Sequence, residues 1–225
     1  MKEVFKHAKL IRPTNTQFYI RDQTQLKLRA NKFRSRTLDK PIHLYRMYFA
    51  FARLAAECEK NKIRFGPKNE HSVKMNKRFY KPWQINEYID AKFDDFFAAK
   101  IDLFSEEEAS IVKSAEASAE HLYLKFNRSQ RKEDILRQAR LLLKNHKFDS
   151  TAKYKIKKQY KYFYLHQQYN AFILRQSGAK NAEVREFLEK NYSAYSKRVS
   201  YTDAALRKLY RASERVVLDV AAGDF

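Results

Sequence analysis

Six histidines, one cysteine and several adjacent carboxylates are the residues of this chain equipped for bond-making chemistry, and their spacing assembles none of them into a site. His7, His43, His71, His121, His146 and His166 show neither a His-x-x-x-His repeat nor a Cys/His ligand spacing, so no structural zinc site is expected. Cys58 stands between Glu57 and Glu59, whose negative charge disfavours a thiolate, and it reads as a small buried residue. Asp94-Asp95 and Glu106-Glu107-Glu108 supply paired carboxylates. Neighbours on a helix point to different faces, however, and helix N-termini favour acids, so capping is the expected role. The glycines, Gly66, Gly178 and Gly223, are too scattered for a phosphate-cradling loop or a dinucleotide fingerprint. The expectation is a protein that is not an enzyme and carries no cofactor.

The other chemistry open to these residues is neutralisation of phosphate. Lys and Arg number 47 against 26 Asp and Glu, a net charge of +21, and a chain this basic implies a polyanionic partner. Residues 150–182 carry Lys153, Lys155, Lys157, Lys158, Lys161, Arg175 and Lys180 without one acid. The i,i+4 carboxylates that ordinarily accompany helical lysines are missing, which leaves these cations available to an RNA backbone. Tyr154, Tyr160, Tyr162, Phe163, Tyr164, Tyr169 and Phe172 lie among them. Such rings either stack on unpaired bases or form the buried stripe of the helix, and helical spacing favours the buried stripe. Arg128, Arg131 and Lys132 open a second basic cluster, which Lys74, Lys77, Arg78 and Lys81 would extend if the fold brings them together. Arg29, Lys32, Arg34 and Arg36 concentrate charge near the N-terminus, whereas residues 83–120 are predominantly acidic and would repel phosphate. The large share of Lys predicts contacts to backbone rather than to base edges.

With so few glycines and prolines, the chain is expected to be all-α, an irregular bundle of about six to seven helices with an extended basic N-terminal arm. Residues 1–40 read as that arm and residues 41–225 as the helical domain. An organelle-targeting peptide is the rival reading of the arm, but Phe5, Leu10 and Ile11 are anchors that a disposable leader does not need. Pro41 suits the first turn of a helix in which Ile42, Tyr45, Phe49, Ala52 and Ala56 recur at helical spacing. Further helices are expected over residues 85–104, from the capping pattern Ser105/Glu108 through Phe126, and through Ile135 to His146. Others should run continuously from Thr151 to about Gln176, around Val184 to Leu188, and from about Ser200 to Val217. No segment approaches the uninterrupted apolar length of a membrane span, and a single cysteine suits a reducing compartment.

Leu44-Tyr45-Arg46 near the start of the first helix, followed by Phe79 after a basic stretch, resembles the signature of mitochondrial LYR-motif proteins. The resemblance covers at most residues 40–126. It implies a small basic helical accessory subunit or assembly factor of respiratory complex I, with an acyl carrier protein docked through Leu44, Tyr45, Arg46 and Phe79. Two functions therefore stand open. One is a structural subunit of a large ribonucleoprotein, most simply a mitochondrial ribosomal protein on the matrix side, contacting ribosomal RNA and neighbouring protein subunits. The other is a LYR-type accessory subunit of a respiratory complex.

Overall fold

The computed structural model describes residues 4–13, 36–37, 42–104, 106–107, 124, 129–144, 154, 156, 161–193 and 201–225. Within them the chain is mostly helical, with seven α-helices: α1 (Ile42–Lys60), α2 (Lys77–Tyr80), α3 (Phe93–Ala99), α4 (Lys132–Lys144), α5 (Tyr162–Gln176), α6 (Asn181–Tyr192) and α7 (Asp203–Ala222). Short 3-10 turns cover Lys81–Trp83 and Ile101–Leu103. Two minimal antiparallel pairings accompany them, β1 (Arg36–Thr37) with β4 (Glu106–Glu107) and β2 (Arg64–Phe65) with β3 (His71–Ser72).

α1 is the central element because it is apolar nearly all round: Leu44, Tyr45, Met47, Tyr48, Phe49, Phe51, Leu54 and Cys58 are all buried. α5 and α7 pack on it, and α7 also packs on α5. A smaller core lies between α5, α6 and α7, built from Leu174, Val184, Leu188, Tyr192 and Leu206. Thr202 caps α7 by accepting from the backbone N–H of Ala205, and Gly223 ends it in the left-handed region (φ 86°), where an added Cβ would meet the Phe79 ring.

Residues 4–13 lie across the bundle. The Glu57 carboxylate, buried on α1, accepts the backbone N–H groups of Lys6 (2.8 Å), His7 (3.0 Å) and Ala8 (2.6 Å). On α5, the Asn170 side chain accepts from Ile11 N (2.9 Å) and donates to Ile11 O (2.7 Å). Phe5 and Ala8 are thereby buried in the main core.

Three helix expectations need correction. The helix ending at Gln176 does not begin near Thr151: Tyr154 and Ile156 are buried and non-helical, and α5 starts at Tyr162. Tyr154 is held by tertiary contacts, its N–H donating to Leu103 O (3.1 Å), its hydroxyl to Phe79 O (3.0 Å), and its ring standing edge-on to Trp83 and Phe79. Those contacts override local helical preference. Residues 85–104 form no single helix either. Gln84 turns left-handed (φ 52°), and only α3 and a 3-10 turn are helical, because Ile85, Phe96, Phe97, Ile101 and Phe104 all reach the main core. A straight helix of that length would run about 30 Å and separate them. Glu106–Glu107 are a strand opposite Arg36–Thr37, not the first turn of a helix. Ser105, Glu108 and Val112 to Phe126, save Leu124, lie outside the described residues.

Candidate nucleic-acid interface

Of the cations expected to meet phosphate, Arg29, Lys32, Arg34, Arg128, Lys153, Lys155, Lys157 and Lys158 lie outside the described residues. Arg36 pairs in register with Glu107. Lys161 precedes the first turn of α5 with extended backbone (φ −83°, ψ 118°), and Arg131 and Lys132 stand at the start of α4; all three side chains are exposed. No hydrogen bond, ion pair or ring contact ties α4 to α5 among the described residues. The rings around Lys161 largely follow the buried-stripe expectation. Tyr154, Tyr169 and Phe172 are buried, Tyr162 and Phe163 half-buried, and Tyr164 is exposed.

A further basic surface is visible on residues 60–81. Lys60, Lys62, Arg64, Lys68, Lys74, Lys77, Arg78 and Lys81 are all exposed, and none makes an ion pair among the described residues. The one acid of this stretch, Glu70, and the Glu59 that precedes it both accept backbone N–H groups. Glu70 accepts from the Lys68 N–H (2.7 Å) and lies 3.8 Å from His71, while Glu59 of α1 accepts from Met75 N (3.2 Å). Local geometry makes a compact turn: Gly66 adopts φ 94°, where a Cβ would clash with the His71 ring and the Glu70 carboxyl. Phe65 and Val73 are buried beneath the hairpin, and Tyr80 and Trp83 beneath α2. The far end is fastened to α7, since Asn76 donates from N to Ala221 O (2.8 Å) and from Nδ2 to Ala222 O (3.1 Å), and the Tyr80 hydroxyl donates to Val220 O. A row of unpaired cations is therefore mounted on a well-anchored platform.

Leu44 and Tyr45 are buried, with the Tyr45 ring 5.9 Å from Phe97 and 5.7 Å from Phe104. Arg46 lies over the Phe93 ring and pairs with Asp94 (3.1 Å) on α3. Phe79 is half-buried between Tyr80, Tyr154 and Gly223. Cys58 is fully buried, and burial together with Glu57 pushes its thiol pKa far up, so it stays protonated. Burial lowers the His166 imidazole to about 4, and burial with nearby Arg46 also lowers His43. No group of three or more metal-ligating side chains occurs, and no helix is long and apolar enough to cross a membrane, among the described residues.

The class of protein these features define is an all-α, strongly basic, single-cysteine chain with an unpaired cationic face. No protein-family model, no curated protein and no solved structure matches it.

Proposed function

We propose that this chain is a non-enzymatic structural subunit of a large ribonucleoprotein, a mitochondrial ribosome on the matrix side, holding ribosomal RNA by its phosphates and touching neighbouring protein subunits. The observation that carries the reading is the belt of exposed, unpaired cations over residues 60–81 on a platform whose own acids are otherwise engaged. Lone surface lysines need no partner, but eight cations with one exposed carboxylate, Glu70, among them repel one another, and a polyanion lying against them relieves that repulsion. The belt is rich in Lys, which suits contact with backbone phosphates rather than base edges. The alternative, docking of an acyl carrier protein through Leu44, Tyr45, Arg46 and Phe79, has less surface to draw on, because Leu44 and Tyr45 are buried and Arg46 is already paired with Asp94.

The test is the salt dependence of RNA binding. Replacing Lys74, Lys77, Arg78 and Lys81 together by Gln should leave the circular-dichroism spectrum unchanged. It should also reduce the slope of log K against log salt by up to about 3, close to 0.7–0.9 per lost phosphate contact. An unchanged slope would remove the belt from the RNA site.

A further inference from the structure

We infer that the outer face of α7 is a second phosphate-binding edge, built from Arg207, Lys208, Arg211 and Arg215, and that it tracks the backbone of one nucleic-acid strand alongside the belt. This inference rests on the RNA reading above.

The sequence places these residues on one face. At 3.6 residues per turn they occupy an arc of about 100° opposite the buried side of α7, which is formed by Leu206, Ser213, Val216, Val217 and Val220. All four are exposed, and none has an ion-pair partner among the described residues. The acids of α7 flank this arc rather than occupy it, and half-buried Asp219, four residues after Arg215, lies just beyond its edge. Asp203 holds Arg185 of α6 (2.7 Å), and half-buried Glu214 lies toward Gly66 and His71 of the hairpin. Arg207, Arg211 and Arg215 repeat at i, i+4 and i+8, the spacing at which like charges destabilise a helix and a Glu would have stabilised it. Three guanidinium groups in line serve a linear anion. They span about 12 Å, the length of three or four successive phosphates of one strand. Each planar fork takes two phosphate oxygens, which a lysine ammonium does not.

Position ties this face to the belt. Glu214 reaches Gly66 at the hairpin, and the C-terminal carbonyls of α7 receive Asn76 just before α2. Hairpin and α2 thus border the C-terminal half of α7.

The experiment uses the full chain, the belt variant described above, and Arg207→Gln/Arg211→Gln/Arg215→Gln, titrated with a single-stranded 20-nucleotide RNA between low and moderate salt. The triple variant should fold at least as stably as wild type, because it removes like-charge repulsion. It should bind about tenfold to hundredfold more weakly near 0.1 M salt, with a slope shallower by about 2. A companion variant, Arg207→Lys/Arg211→Lys/Arg215→Lys, should restore the slope but only part of the affinity. Wild-type affinity and slope in the Gln variant, beside a weakened belt variant, would overturn the α7 edge and leave the RNA reading standing. Absence of RNA binding by the wild-type chain would overturn both.

Discussion

His166 shows at the residue scale how burial turns a chemically capable group into a structural one. Its ring lies in the core, 2.6 Å from the Tyr192 hydroxyl, in a network that continues through Asn170 to the backbone of Ile11. Its pKa falls from 6.5 to about 4 because burial penalises the imidazolium. The unfolded chain therefore binds a proton below pH 6.5 that the folded chain refuses until about pH 4. Stability should be constant above neutrality and decline as pH falls through that window, by about 2 kcal/mol at pH 5 from this group alone. His43, lowered by burial and by Arg46, adds in the same direction. Urea unfolding at pH 7 and pH 5 measures the loss, which should shrink clearly in His166→Asn. An equal loss in that variant would mean that His166 does not carry it. The sequence marked His166 as unsuited to metal binding by spacing alone. It gave no sign of the network, which depends on Tyr192 and Ile11, far away along the chain.

Among the elements, α4 stands apart. It is regular and amphipathic, as its Ile135, Leu136, Ala139, Leu142 and Leu143 spacing requires, yet none of its residues is buried. Leu136, Leu141 and Leu142 remain 48%, 62% and 59% exposed. A lone helix of this length is marginal in water, and its leucines contribute little to the fold. Changing all three to Ser should therefore lower the unfolding free energy measured in urea by no more than about 0.5 kcal/mol each, whereas Leu165→Ala, in the core of α5, should cost about 3 kcal/mol. A large loss from the α4 variant would show that its leucines do support the bundle.

The elements that the sequence made legible are those with a sustained helical period and a local punctuation signal. α1 follows Pro41, α7 opens at the Thr202 cap, and α5 ends where Gly178 turns left-handed (φ 83°). Elements set by distant partners were not legible. The break at Gln84 and the non-helical backbone at Tyr154 both follow from the ring cluster around Trp83, in which Tyr48, Tyr80, Phe104 and Tyr154 meet from separate stretches of chain. Each such ring pair is worth about 0.5–1.5 kcal/mol beyond burial, enough to outweigh the small local preference for helix at Tyr154.

At the scale of the whole molecule, two stretches of the described surface concentrate positive charge. Runs of exposed cations without ion-pair partners among the described residues fall on the belt over residues 60–81 and on the outer face of α7, while Asp94 and Asp203 are taken up by Arg46 and Arg185. The net charge was evident from composition, as was the promise of Lys74, Lys77, Arg78 and Lys81. The junction of belt and α7 was not, because Asn76 meets Ala221 only through packing. A molecule of this size with a charge of +21 carries a self-repulsion that a polyanion relieves.

That account is tested most directly by purifying the tagged, full-length protein natively from its own cells, resolving it by size, and measuring RNA content with and without ribonuclease. The account predicts migration in a large particle together with ribosomal RNA, collapsing to small species after ribonuclease. Migration free of RNA, with respiratory-complex subunits and an acyl carrier protein, would contradict it.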